Sequence, residues 1–377
     1  MVLRNIQLLN FRNYPELNLD FCQGLNYLTG LNGTGKTNLL DAIHYLSMTR
    51  SFFHLSDSQS ISHGENAMMV RGEFESSDGP SEMSCSVRTG HKKVFLFNNN
   101  EYERMSDHVG VFPSVVISPS DLELATSGSE SRRKFIDAII SQYDRTYLVT
   151  LIRYSEVLAQ RNALLKQFAF KGLADWGLMS VWDEQLHEAS IIISQKRQEF
   201  VSSFNPVFAE MYHSISGGKE KPELEYLQNV AGAGLLTKLV DSRSKDLDVQ
   251  YTTSGSHKDD LDFRLNGYPL KKFASQGQLK TFVTAMKLAQ YDLMVRQSAK
   301  KPVLLLDEVF DRMDNDRVDR LLQVITQPPF SQVFLTHTDY GRVQGIMDSS
   351  SIEFLILQVI GNKVLPINSQ ELAKSKR

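Results

Sequence analysis

Cysteine is nearly absent, with only Cys22 and Cys85 in 377 residues. Two thiols so far apart give no metal-ligand spacing and no disulfide framework, the pattern of a reducing compartment. No apolar run approaches the roughly 20 residues that a membrane-spanning helix needs. The opening Met1-Val2-Leu3-Arg4-Asn5 lacks the apolar core of a secretory signal, so a cytoplasmic protein without integral membrane association is expected. Strong charge of one sign is also missing. The formal net charge is −3, which excludes a chain that coats nucleic acid over its whole surface. Any DNA contact must use a local patch. There is no internal repeat and no low-complexity segment. The bulk composition is ordinary, and the length suits two folding units or one large head carrying an insertion.

The first third reads as strands, a loop and a helix. Leu17, Leu19 and Phe21 alternate with polar residues, as on a half-buried strand. Leu25-Asn26-Tyr27-Leu28 is a short apolar strand. Leu39, Ile43 and Leu46 recur at helical spacing, so a helix begins near Thr37. A meander is predicted over 70–102, and Val115-Val116-Ile117 is another strand. From Ser127-Gly128-Ser129 to about Asp248 the periodicity is helical, and the block is expected to be an inserted arm. Trp176 and Trp182 read as core. Asn266-Gly267 signals a hairpin, and a helix is expected from Gln278 to Met294. Val303–Leu306 and Val333–Leu335 are apolar strands of the kind buried on both faces. The last residues, from Ala373, read as a frayed basic tail.

Gly30-Leu31-Asn32-Gly33-Thr34-Gly35-Lys36-Thr37 fits the phosphate-loop pattern G-x-x-x-x-G-K-[ST]. Glycines let backbone N–H groups wrap a phosphate, and the helix that follows turns its positive end to the anion. Lys36 would reach the β- and γ-phosphates of ATP, and the Thr37 hydroxyl would ligate Mg²⁺. A chance match occurs roughly once in a hundred chains of this length, and here the loop also sits between a strand and a helix. Val303–Leu306 ends in Asp307-Glu308. Acids at the carboxyl end of a parallel strand face the nucleotide. Asp307 would hold Mg²⁺, and Glu308 would polarise the attacking water. A solvated acidic loop is the plainer reading of that pair taken alone.

Ser275-Gln276-Gly277-Gln278 opens a helix. It resembles the ABC-ATPase signature, a second phosphate-binding helix start, although a simple capping box has the same form. Wider similarity decides between them. Asn10–Tyr14 as an opening strand, Gly30–Asp41, Ile117–Leu122 with Arg132–Asp137, Gln160–Leu165, Gly255–Asp260 and Ser275–Thr281 together resemble the RecF family along nearly the whole chain. That resemblance implies an α/β P-loop NTPase of the ABC-type head class: two lobes, 1–128 and 252–377, with a helical arm at 129–251. It implies a weak ATPase whose ATP is sandwiched in a homodimer. Ser275, Gln276, Gly277 and Gln278 of one copy would then meet the nucleotide of the other. It further places Arg12 in the nucleotide site, Asp314 in the D-loop and His337 as the switch histidine. Implied partners are double-stranded and gapped DNA, and RecO and RecR, with which it would load RecA and act in replication and the SOS response. The family often has aspartate where Glu308 stands and arginine where Phe53 stands. Asp311 and Arg312 depart from its D-loop, and no glutamine occupies the expected Q-loop place near Ser118–Leu122.

Within 129–171 eight cations (Arg132, Arg133, Lys134, Arg145, Arg153, Arg161, Lys166, Lys171) face four acids, a surplus that could neutralise DNA phosphates. A solvated helical face would look the same. Three other functions share parts of this pattern: a transporter's ATPase subunit, a Rad50-like nuclease partner and a nucleotide-gated scaffold without catalytic need. The Rad50-like reading requires a long coiled coil and a C-x-x-C hook, and the sequence has neither.

Overall fold

The computed structural model describes residues 1–367 except 54, 78, 219, 232, 233, 299, 312 and 339–351. Arg312 and the basic tail lie outside these. The strands are β1 (Val2–Phe11), β2 (Tyr14–Asp20), β3 (Leu25–Thr29), β4 (Ala67–Ser76), β5 (Gly79–Arg88), β6 (Val94–Phe97), β7 (Asn100–Glu101), β8 (Ser114–Ile117), β9 (Pro222–Leu227), β10 (Asp260–Leu265), β11 (Tyr268–Pro269), β12 (Val303–Asp307), β13 (Val333–His337), β14 (Phe354–Ile360) and β15 (Lys363–Pro366). The helices are α1 (Lys36–Met48), α2 (Leu122–Thr126), α3 (Ser129–Tyr143), α4 (Arg145–Lys171), α5 (Trp176–Ser216), α6 (Gly234–Asp241), α7 (Arg243–Val249), α8 (Leu270–Phe273), α9 (Gln276–Ser298) and α10 (Asn315–Ile325).

The chain forms two compact units. The first takes Met1–Asp121, Met211–Gly218 and Gln276–Arg377, and the second takes Leu122–Glu210 and Lys219–Ser275. Two six-stranded sheets build the first unit, ordered β2-β1-β4-β5-β6-β7 and β15-β14-β3-β13-β12-β8. In the second of these, β14, β3, β13, β12 and β8 run parallel, so their carboxyl ends share one edge. β3, β12 and β13 are buried along their whole length, as a sheet covered on both faces requires. α1 sits in the core that both sheets share. Leu39, Leu40, Ile43, Tyr45 and Leu46 are all fully buried. A helix buried on nearly every side, Asp41 and Ser47 included, is held by its surroundings, which anchors the loop before it.

Asn10–Tyr14 is a tight hairpin rather than a continuous strand. Phe11 pairs with Tyr14, and Arg12, at φ 52°, makes the turn. The expected Asn266-Gly267 hairpin is present between β10 and β11, with φ of 54° and 79°, the left-handed pair that a type I′ turn demands.

The second unit holds α2–α4, most of α5, α6–α8 and the sheet β11-β10-β9. The helical reading of the arm misses β9. Pro222–Leu227 alternates buried and less buried residues and pairs with β10 along its whole length. Nor does the break fall at 252. Residues 252–275 belong with the arm because ion pairs tie them there. Arg197 of α5 donates to both oxygens of Asp137 (2.9 Å each), to Asp259 (2.9 Å) and to the Ser256 carbonyl (2.8 Å). Arg161 of α4 is wholly buried and donates to Asp183 (2.7 Å), Asp246 (2.7 Å) and Thr252 (2.8 Å). Removing one partner from such a set leaves a buried charge uncompensated, so the segment cannot detach cheaply. The two tryptophans are half-buried, and Arg243 lies over the ring of Trp176 at 5.3 Å.

Candidate functional site

The phosphate loop joins the end of β3 to α1, at the carboxyl edge of the parallel sheet. Its crest, Leu31 to Gly33, is exposed. Gly35 caps α1 at φ 106°, and a Cβ there would lie 2.3 Å from Asn13 Nδ2 and 2.9 Å from Tyr14 Oη. A side chain is excluded both by backbone conformation and by space. Asn13 Nδ2 donates to the Thr34 carbonyl (3.3 Å), and Tyr14 Oη donates to the Gly35 carbonyl (3.0 Å). The β1–β2 hairpin therefore props the loop from behind. Lys36 is almost fully buried, and its amine donates to the carbonyls of Gly30 (2.8 Å) and Leu31 (2.9 Å). Burial lowers its pKa, while the charges of Glu308 and Asp307 raise it in part.

Asp307 ends β12 beside the first turn of α1. Its Oδ1 accepts from Thr37 Oγ1 (2.9 Å) and from Thr336 Oγ1 (2.7 Å). Burial pushes its carboxyl above the usual range, and Glu308 adds to that; the two hydroxyls and Lys36 oppose it. Glu308 is a non-glycine residue at φ 47°, a costly conformation. It is held there by its N–H, which donates to Thr336 Oγ1 (3.1 Å). One threonine thus orients both acids. Its neighbour His337 ends β13, pairs in register with Thr29 and packs its ring 5.3 Å from Phe310. The histidine expected just after the strand is the strand's last residue.

Arg12 is fixed on several sides. It pairs with Asp41 (2.5 Å), donates to Asn38 (2.9 Å) and Ser51 (2.9 Å), and lies 4.7 Å over the Phe53 ring. Asn38 in turn donates to Asn13 (2.7 Å), which links Arg12 to the loop. Burial raises the Asp41 carboxyl to about 6 against the pull of Arg12.

The Ser275–Gln278 stretch straddles the boundary between the units, with Gln276 opening α9. Within the first unit α9 is coupled to the acids. Lys280 Nζ donates to the Glu308 carbonyl (3.3 Å). Thr281 Oγ1 donates to the Gly277 carbonyl (2.8 Å) and accepts from Arg317 (3.0 Å). Asp314 caps α10 by accepting from the Arg317 N–H (2.9 Å). Thr336 and Arg317 are not candidates from the sequence, and Lys280 and Thr281 figure there only as part of the Ser275–Thr281 stretch. The only signal for Thr336 was its place beside Asp307 on the neighbouring strand, which needs the register.

The basic stripe on the arm is largely engaged. Arg161 has no exposed surface, Arg132 forks onto Asp260 (2.8 and 2.9 Å), and Arg133 donates to the Asp259 carbonyl (2.6 Å). Lys134 pairs with Glu130 at 2.7 Å. The surplus counted along the sequence is therefore not a free stripe.

A phosphate loop at the edge of a parallel sheet, a hydroxyl and carboxylate meeting beside it and an acid one residue further on define a P-loop ATPase head of the ABC type. The sequence model of the RecF/RecN/SMC N terminal domain matches residues 2–353. The DNA replication and repair protein RecF of Flavobacterium johnsoniae is 41% identical over 359 residues, covering 95% of this chain and 100% of that protein. The chain belongs to the RecF family. RecF of Bacteroides fragilis is 39% identical over 372 residues, covering 98% of this chain and 100% of its own. The solved structure of the recombination mediator protein RecF-ATPrS in the RecFOR pathway aligns at a TM-score of 0.86 and 30% identity, over 97% of this chain and 98% of that one. The Smc head domain from Pyrococcus furiosus, at 15% identity and a TM-score of 0.58, shares the fold alone.

Proposed function

We propose that this chain is an ATP-dependent DNA-binding protein of replication and recombinational repair, whose two copies close on ATP and bind duplex and gapped DNA. The observation that carries the nucleotide reading is the 2.9 Å approach of Thr37 Oγ1 to Asp307 Oδ1 beside the phosphate loop, and the kinship to a DNA replication and repair protein supports the DNA reading. Two oxygen donors suit Mg²⁺, which takes few protein ligands and completes its shell with water and phosphate. No cage of three or more His, Cys, Asp or Glu competes among the described residues. When bound, Mg²⁺ would neutralise charge on the phosphate oxygens.

The residues would divide the work as follows. The loop amides of Gly30 to Thr37 bind the phosphates, and the Lys36 amine exchanges its two carbonyl partners for β- and γ-phosphate oxygens. Glu308 accepts a proton from the attacking water. His337 meets the γ-phosphate, and Arg12 borders the nucleotide. Ser275, Gln276, Gly277 and Gln278 of one copy, with Asp314, complete the site of the other. Hydrolysis is slow because that composite site must assemble first. Cytoplasmic action with RecO and RecR, in loading RecA at single-strand gaps and in the SOS response, belongs to the same reading, and the kinship supports it.

Light scattering with and without ATP tests this reading. Wild type should dimerise with ATP, while Lys36→Met and Ser275→Arg should stay monomeric. A mixture of the two variants should regain dimers, because one of its two composite sites is intact. Dimers of Lys36→Met alone would overturn the sandwich.

A further inference from the structure

The arm's cations are largely engaged, yet the first unit leaves several free. The β5–β6 turn reads Arg88-Thr89-Gly90-His91-Lys92-Lys93, with three cations, a histidine and no acid. Arg88, His91 and Lys92 are exposed. Arg88 and Lys92 form no ion pair among the described residues. The turn is hydrogen-bonded through its backbone. His91 N–H donates to the Arg88 carbonyl (3.0 Å), and Thr89 N–H donates to the Asn66 carbonyl (2.9 Å). Lys93 points inward instead. Its amine donates to the Thr49 carbonyl (2.6 Å) and to Asp57 (3.1 Å), and it lies 5.4 Å over the Tyr45 ring.

That inward strut ties the turn to Thr49, the C-cap of α1, and the residue after it, Arg50, is exposed and forms no ion pair among the described residues. Of the acids near the turn, Asp57 receives Lys93 and Tyr45, while the exposed Glu65 keeps its charge and accepts only from the neutral Asn10 amide (3.3 Å). None of Arg50, Arg88 and Lys92 forms an ion pair among the described residues, on a chain whose net charge is −3. Cations that form no ion pair, on a hydrogen-bonded turn, attract a polyanion without ordering their own backbone first.

We propose that Arg50, Arg88 and Lys92 grip the sugar-phosphate backbone of duplex DNA, with Lys93 as the positioning residue that fixes the turn. This rests on the DNA-binding reading above. Phosphate contacts fix position and carry no sequence information, so the face should bind any sequence.

The test is fluorescence anisotropy of ATP-bound protein on a duplex and on the matching single strand, over a salt series. Arg88→Gln/Lys92→Gln removes two phosphate contacts, so the slope of log K against log salt on duplex should fall by about 1.8 and affinity near 0.1 M salt by roughly 60-fold. On a single strand the slope should fall by about 1.4. Arg88→Lys/Lys92→Arg should keep binding. ATP-driven dimerisation and DNA-free hydrolysis should not change in either variant. A wild-type slope in the Gln pair, or the same loss from Lys166→Gln/Lys171→Gln on the arm, overturns this placement. A loss confined to single strands overturns the duplex assignment. Failure of the unmutated protein to bind DNA in any nucleotide state would sink the DNA reading itself.

Discussion

Replacing Thr336 with valine isolates what orients the two acids. The side chain is fully buried and its hydroxyl serves twice, donating to Asp307 Oδ1 at 2.7 Å and accepting from the Glu308 N–H at 3.1 Å. Valine keeps the shape and removes both bonds. A hydrogen bond to a charged group contributes about 1.5–3 kcal/mol. Asp307 retains Thr37 as its second hydroxyl donor, so a net loss near the lower part of that range, about 2 kcal/mol, is reasonable. If it appears in the transition state, turnover falls roughly 30-fold. ATP affinity should change little, because the loop amides and Lys36 are untouched. The pH profile should move as well. Burial already holds the Asp307 carboxyl above its usual range, and Thr336 opposes that. Without Thr336 the carboxyl rises further, so the acid limb of the rate profile shifts to higher pH. Single-turnover hydrolysis and nucleotide titration on wild type, Thr336→Val and Thr336→Ser decide it. Serine should restore most of the rate. A valine variant with wild-type turnover and an unmoved acid limb would refute the role given to Thr336.

Three further outcomes follow from the packing. His108 and His257 are both held near pKa 4 by burial, in the first and second units respectively. Their folded pKa values lie below the unfolded 6.5, so this stability is complete above pH 6.5 and is lost as pH falls through 4, about 3 kcal/mol for each. Urea midpoints measured from neutral pH downward should fall over that window, and His108→Gln should fall less than wild type. Arg161→Met leaves Asp183 and Asp246 buried without their shared partner; it should lower stability by about 3–5 kcal/mol, read as a lower denaturation midpoint. Gly35→Ala forces a side chain at φ 106° against Asn13. Strain of about 1–3 kcal/mol should weaken ATP binding at least severalfold by calorimetry while circular dichroism stays unchanged.

Elements with strong local signals were legible in the sequence. β3, α1, β12 and β13 lie where apolar runs and the Gly-rich loop put them, because strand burial on both faces and helix nucleation after a glycine leave local marks. β9 carries a period-2 signal, Glu223-Leu224-Glu225-Tyr226, but six residues inside a long helical block are easily outweighed, and pairing with β10 makes them a strand. The segment after 252 contains strands that continue toward the head in sequence, yet Arg197 and Arg161 bind it to the arm. No local pattern reveals which carboxylate an arginine will find. The same blindness makes Arg132, Arg133 and Arg161 look like a DNA-facing stripe when counted along the chain.

By itself, then, the order of residues determined the chemistry on offer: a glycine loop with Lys36 and Thr37, an acidic strand end and a helix start at Ser275. Each is a short-range pattern whose physical reason lies in backbone freedom and strand burial. Tertiary structure alone decided which groups meet. Parallel register sets Thr336 beside Asp307, the β1–β2 hairpin props Gly35, and long-range ion pairs decide which cations stay free, because contacts across a fold depend on distances in space that spacing along a chain does not encode.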